Sequence, residues 1–208
     1  MKIVLLWLIL MVGALAGAAC GADDEGQQTS SFDKAWRLAT IYENQESPFL
    51  QQFALSGRLQ LESVLFDADQ GEYTDEFTWR RFRFGFKAHV FQDWVLHLEG
   101  DFNLNQPLED MYTRLTDAYV GWSPSEGLEF KVLKHSVGFT LDGATSSTRL
   151  LTLQRNALTG NLWFSGEYFT GIGVRGGFNE DWSYRGGVYS QDGSDELSRF
   201  ETGYFVLV

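Results

Sequence analysis

The sequence has 208 residues, enough for one domain of ordinary size, with 22 glycines, 15% aromatic residues and only 3 prolines. Abundant aromatic and glycine residues with little proline favour long strands joined by tight turns. The formal net charge of −12 argues against a nucleic-acid partner, because basic patches supply most of the affinity for nucleic acids.

Residues 1–22 are interpreted as a signal peptide for export. Lys2 gives a positive start, residues 3–12 form an apolar run that is short for a membrane span, and small residues follow. Cys20 is the only cysteine, which excludes a disulfide within the chain. Two fates of Cys20 stay open: it becomes the acylated N-terminus of a lipoprotein, although the usual leucine three positions earlier is missing, or it leaves with the leader.

Residues 23–50 are interpreted as a polar N-terminal segment that contains a short helix. Phe32, Trp36 and Ala39 have helix-like spacing within residues 32–42, and Ser31 or Asp33 is a suitable N-cap. Beyond residue 22 no apolar stretch approaches about 20 residues, so a membrane role depends on strands.

Residues 51–208 are predicted to form an all-β, antiparallel, up-and-down transmembrane β-barrel. Within residues 81–90, for example, apolar side chains occupy the even positions, and arginine, lysine, histidine and glycine occupy the odd ones. This period of two predicts about eight strands, many of them near the ~9–11 residues that a tilted strand needs to cross a bilayer. The predicted strands lie at residues 53–62, 81–90, 94–102, 117–122, 128–134, 168–177, 182–190 and 199–208.

The predicted connections alternate between long and short, as they do in outer-membrane barrels with long external loops and short periplasmic turns. The long ones are residues 67–77, 104–114 and 136–167, and the short ones are 91–92, 123–127 and 178–181. Trp94, Trp122 and Trp182 flank the short turns. We interpret them as an aromatic girdle at the membrane interface; the alternative is that they hold together the core of a soluble β-sandwich.

One face of the predicted strands is apolar and the other is charged, which fits either lipid outside and a wet lumen inside or the apolar core and charged exterior of a soluble protein. The basic candidates for a lumenal anion path are Arg58, Arg81, Arg83, Lys87, Lys131, Arg175 and Arg185, and the acidic residues on the same face are Glu62, Glu99, Asp101, Asp117 and Glu129. Rows of arginine and lysine select anions in pores. The alternative is that these basic and acidic residues form ion pairs across neighbouring strands and only stabilise the barrel wall. Both interpretations remain open.

Residues 136–167 form a connection of about thirty residues, which is long for a loop without a function. Its mixture of apolar and hydroxyl-bearing residues is compatible with folding into the lumen and narrowing it, with Arg149 and Arg155 near the constriction. The alternative is a surface loop with a small core of its own.

Four stretches, at residues 80–87, 115–120, 139–147 and 154–157, resemble the phosphate-selective porin O/P family. The most specific is Asp-Gly-Ala-Thr-Ser-Ser at 142–147, followed by Arg-Asn at 155–156, and the resemblance extends over about residues 53–190. It implies a homotrimeric porin of the bacterial outer membrane. Its third loop would turn inward, and its arginine-rich lumen would pass phosphate or other small anions by passive diffusion.

The sequence departs from the family in two respects. The family's barrels have about 16 strands and nearly twice this length, whereas about eight strands are predicted before Val208. A closed eight-stranded barrel leaves no room for a thirty-residue inward loop, so an incomplete, N-terminal part of a larger barrel is favoured. The acids on the lumenal face also leave phosphate selectivity open.

Two other functions are compatible with parts of the sequence. A small outer-membrane barrel enzyme acting on lipids needs a nucleophile beside a base. His89 and His97 flank the first short turn, but the sequence has no Gly-x-Ser-x-Gly motif and no metal-ligand histidine cluster. A secreted carbohydrate-binding β-sandwich would need exposed aromatic platforms. No catalytic residue, cofactor or metal is therefore predicted.

Overall fold

In a computed structural model of the protein, residues 38–66, 74–145, 167–178, 182–193 and 195–208 are described. Together they form one antiparallel sheet of nine strands, each paired with its neighbours in chain order. The strands are β1 Thr40–Glu43, β2 Leu50–Phe66, β3 Thr74–Val90, β4 Trp94–Phe102, β5 Tyr112–Ser125, β6 Leu128–Ser136, β7 Tyr168–Gly177, β8 Ser183–Ser190 and β9 Tyr204–Leu207.

Helical structure within the described residues is limited to a 3-10 turn at Leu108–Asp110 and one α-helical turn at Leu141–Ala144. None of these helices is long and apolar enough to cross a membrane. The predicted fold class, an all-β antiparallel up-and-down sheet, is confirmed. The sheet is open among the described residues, with β1 and β9 as its two edges.

All eight predicted strands are present, with changes at their ends. β2 and β3 extend to 17 residues each, and β5 begins at Tyr112 instead of residue 117. β9 begins at Tyr204 instead of residue 199, because Phe200 and Gly203 adopt left-handed backbone angles, φ 59° and 117°. Two such angles within four residues interrupt the extended backbone here, whereas β6 continues past a single one at Leu133, φ 80°.

The predicted N-terminal helix is wrong in its last residues. Thr40–Glu43 is a strand in which Thr40 pairs with Ala54 and Tyr42 with Phe53. The edge of β2 offers unpaired backbone groups, and pairing with them outweighs a weak helical pattern. Residues 32–37 lie outside the described part of the chain.

The two faces of the sheet have opposite polarity. We call the face of Phe84, Leu98 and Val132 the outer face; these side chains are 50%, 41% and 43% exposed. The inner face carries Arg83 and Glu99, which are both 6% exposed. Exposed apolar and buried polar side chains reverse the arrangement of a soluble protein, and they match a barrel wall with lipid outside.

A small apolar core lies on the inner face near the end of the sheet. Val137, Phe169 and Tyr189 are buried there, with Phe205 and Leu207 packed against them. The Tyr189 ring lies over glycines of β7 and β8: a Cβ at Gly173 would lie 2.6 Å from Tyr189 Oη and 2.7 Å from His135 Nε2. Because Gly173 has no side chain, there is room for the rings of Tyr189 and His135.

Candidate functional site

A basic strip runs along the inner face of β2 and β3. The strand register places Arg58 opposite Arg83, Gln60 opposite Arg81, and Ala54 opposite Lys87. Arg81 donates from Nη1 to the neutral amide oxygen of Gln60 at 3.4 Å. The long β2–β3 ladder thus brings four of the predicted anion-path cations, Arg58, Arg81, Arg83 and Lys87, onto one surface.

Carboxylates on the neighbouring strands pair with several cations of the inner face. Asp101 on β4 lies 3.7 Å from Arg83 Nε and 3.6 Å from Arg114 Nε. Glu129 on β6 lies 3.8 Å from Lys131 Nζ and forms an ion pair with Arg175 of β7. Part of the inner-face charge is therefore used in cross-strand pairs, as the second interpretation of these residues expected.

Arg185 on β8 contacts the segment that follows β6. Its guanidinium donates to the carbonyl oxygens of Gly138 at 2.8 Å and Val137 at 3.4 Å. Gly138 has φ +60°, which favours glycine, and a Cβ there would displace the end of the Arg185 side chain from its contact with this segment. Arg149 and Arg155 lie outside the described residues.

Residues 137–145, the beginning of the predicted inward loop, lie against the inner face. Val137 is 1% exposed in the inner core. Gly138, Phe139 and Ala144 line a cavity of about 910 Å³ together with Arg175 and Arg185. Residues 146–166 lie outside the described part of the chain, and the narrowing of a lumen by this connection stays a prediction.

Sequence reasoning missed a row of rings that crosses the inner face from β4 to β8. His97 contacts Tyr119 with ring centroids 5.3 Å apart, Tyr119 contacts His135 at 6.2 Å, and His135 contacts Tyr189 at 5.4 Å. Lys131 Nζ lies 4.3 Å from the centre of the Tyr119 ring. The alternation of polar and apolar residues could have placed these rings on the polar face. Their contacts with one another could not be predicted from it, because they depend on strand register.

Ser56, His97 and Glu99 also meet on the inner face. Ser56 Oγ lies 3.2 Å from His97 Nε2, and a Glu99 carboxylate oxygen lies 3.9 Å from that same nitrogen. A serine–histidine–acid triad needs the acid on the other ring nitrogen. This arrangement is therefore a polar contact between β2 and β4 and lacks the geometry of a hydrolytic site.

The predicted girdle tryptophans lie at the end of the sheet that has the short turns. Trp94 and Trp122 stack with centroids 5.8 Å apart, and Trp122 stacks on Phe130 at 5.6 Å. Trp182, which follows the turn after β7, is 70% exposed. Their role at a membrane interface stays a prediction. No group of three or more metal-ligating side chains occurs among the described residues.

Comparison with protein-family models gives a match. The family model of phosphate-selective porin O and P matches residues 53–207, a span that begins within β2 and ends with β9. A search of curated proteins found no match. The family match supports an outer-membrane porin and points to a channel rather than an enzyme. The inverted polarity of the sheet and the basic strip agree with it, and the chain belongs to the phosphate-selective porin O and P family.

Proposed function

We propose that this protein lines a water-filled channel in the outer membrane through which small anions, phosphate among them, diffuse passively. The observation that carries the proposal is the basic strip of β2 and β3, where Arg58, Arg81, Arg83 and Lys87 share the inner face. Positive charge along a pore wall lowers the energy of a passing anion and raises that of a cation.

The strip acts on a solute because a pore is narrow and its walls have a low dielectric constant, which focuses the field. At physiological ionic strength an exposed charge is felt over about 8 Å. Cations paired with carboxylates contribute less, and Asp101 and Glu129 already pair with Arg83, Lys131 and Arg175. Arg81, which contacts the neutral Gln60, is therefore the residue on which we expect anion preference to depend most.

The remaining partners follow from the same proposal. The outer face contacts membrane lipid, export uses the signal at residues 1–22, and the assembly is the homotrimer that the resemblance implies. Apolar outer side chains such as Phe84 and Ile172, which are 50% and 58% exposed, support the lipid contact. A lipid-facing surface of this kind would be unfavourable in water.

The test is reconstitution of the full-length gene product that contains this sequence into planar bilayers. We expect stepwise conductance. In a KCl gradient, the sign of the reversal potential should show that chloride passes more easily than potassium, and added phosphate should reduce the chloride current. Arg81→Gln should lower the anion preference, whereas the control Arg199→Gln, an equal loss of charge at an exposed position in the β8–β9 connection, should not. Absence of conductance would refute the channel, and an unchanged reversal potential in Arg81→Gln would refute the role of the strip.

A further inference from the structure

Arg83 has surroundings that differ from those of Arg81, although the two are neighbours on the inner face of β3. Arg83 is 6% exposed. Its Nη1 donates to Tyr168 Oη at 2.6 Å, and its Cζ lies 5.2 Å from the centre of the Tyr168 ring. Tyr168 is the first residue of β7, so this contact joins two strands that β4, β5 and β6 separate in the sheet.

A second guanidinium strengthens this connection. Arg114 of β5 lies with its Cζ 5.7 Å from the Tyr168 ring centre, and its Nε lies 3.6 Å from the same Asp101 oxygen that faces Arg83. We call Arg83, Asp101, Arg114 and Tyr168 the arginine–tyrosine cluster. It contains a charge-assisted hydrogen bond, two ion pairs and two cation–π contacts. The side chains of Arg83 and Asp101 are 7% and 16% exposed, and that of Arg114 is 28% exposed.

We propose that Arg83 is a positioning residue: through Tyr168 it fixes the separation of β3 and β7 across the lumen, and it sets the width of the channel rather than its anion preference. The inference rests on the proposed channel function and assigns different roles to two arginines of one strip. Arg81 presents its charge to the solute, whereas the charge of Arg83 is used by Asp101 and Tyr168.

The planar guanidinium explains why arginine is required at position 83. It offers donors in a fixed fork, so it can face a carboxylate and a phenol oxygen at the same time. A lysine supplies the same charge from a single nitrogen on a flexible stem, and it lacks the separated donors that let a guanidinium face the two groups from different atoms. At position 81 a lysine can replace the arginine, because either side chain presents one positive charge to the lumen.

These differences give charge-conserving tests in planar bilayers. Arg83→Lys and Tyr168→Phe should each change the single-channel conductance and increase its noise, while leaving the reversal potential within error of the parent. The double variant should change the conductance no more than either single variant, because both remove the same contact. The matched control Arg81→Lys should alter neither quantity, and Arg81→Gln should move the reversal potential.

A distance measurement tests the same inference without conductance. Spin labels at the outer-face positions Phe84 and Ile172, in a Cys20→Ser background, report the separation of β3 and β7. We expect one narrow distance distribution in the parent and a broader one in Tyr168→Phe, with heat-modifiable migration on gels confirming that each variant is folded.

The outcomes separate the two proposals. The first case is that the parent conducts and that Arg83→Lys and Tyr168→Phe keep its conductance. If Arg83→Gln then moves the reversal potential as much as Arg81→Gln does, Arg83 is a selectivity residue and the inference is wrong. If the parent does not conduct, the proposed function fails. In that case the labels still decide whether Arg83 and Tyr168 hold the strands together, since an unchanged distribution in Tyr168→Phe would overturn the positioning role.

Discussion

At the scale of single residues, the contribution of an inner-face charge depends on its nearest partner. Glu129 shows this, because one carboxylate faces both Lys131 and Arg175. Its side chain is 19% exposed and that of Arg175 is 56% exposed, so water screens the pair and its contribution to stability is at most about 1 kcal/mol. The Glu129 carboxylate has a larger effect on the electric field in the lumen, because its negative charge offsets that of nearby cations.

Glu129→Gln should therefore raise the anion preference, because it removes one negative charge and leaves two cations without that partner. We expect the anion-to-cation permeability ratio to increase roughly 1.5- to 2-fold, since partly exposed charges interact by less than about 1 kcal/mol. Reversal potentials in a KCl gradient measure the ratio. Glu126→Gln, at an exposed position in the β5–β6 turn, is the control, and an equal shift in both variants would contradict the prediction.

At the scale of elements, each strand separates two solvents. Along β4 the side chains of Trp94, Leu96 and Leu98 lie on the outer face, and those of Val95 and His97 lie on the inner face. Outer positions are apolar because lipid has no partner for a charge, and inner positions tolerate charge because water and opposite charges are available. Adjacent residues should consequently respond differently to the same substitution.

Leu96→Arg should destabilise the folded protein in lipid vesicles by about 1–3 kcal/mol, because the cost of a lipid-facing arginine falls from roughly 2–4 kcal/mol at the membrane midplane towards zero at the interface. Val95→Arg places the same side chain at nearly the same depth on the inner face and should cost less than Leu96→Arg. Urea titration of folding into vesicles gives both values. Equal costs would mean that the assignment of the faces is wrong.

At the scale of the whole molecule, the β8–β9 connection holds together strands that are distant in the sequence. Lys134 is 1% exposed, and its Nζ donates to the carbonyl oxygens of Asp195 at 2.8 Å and Glu196 at 3.2 Å. The Leu115 backbone nitrogen also donates to Asp195 at 2.9 Å, and that of Ser198 donates to Thr170 Oγ1 at 2.9 Å. The connection therefore contacts β5, β6 and β7 near the place where the chain leaves β6.

Lys134→Met should release this connection, because it removes the donor from two carbonyl oxygens. A loss of about 1 kcal/mol or more is expected for such contacts, which corresponds to a roughly fivefold or greater increase in local opening. Limited digestion with a broad-specificity protease, followed by mass spectrometry, should show faster cleavage between residues 195 and 203. The exposed Glu201→Gln serves as control, and an unchanged cleavage rate in Lys134→Met would contradict the prediction.

Several features of the fold and of the candidate site were predictable because they repeat along the chain. The period of two placed Phe84 and Arg83 on opposite faces, and the alternation of long and short connections predicted an up-and-down sheet. β1 was not predictable, because a four-residue strand carries too little alternation to be distinguished from a helix. The ring row of His97, Tyr119, His135 and Tyr189 was missed because it joins residues from four strands.

The amino-acid sequence by itself determined the fold class, the two faces of each strand, the basic strip and the family. These depend on local alternation and on short motifs, which need no knowledge of neighbouring strands. Only the tertiary structure decided which charges have partners and which strands meet across the inner face. The contacts of Glu129 with Arg175 and of Arg83 with Tyr168 depend on strand register and on the curvature of the sheet. Both arise from packing of the whole sheet, so no single segment encodes them.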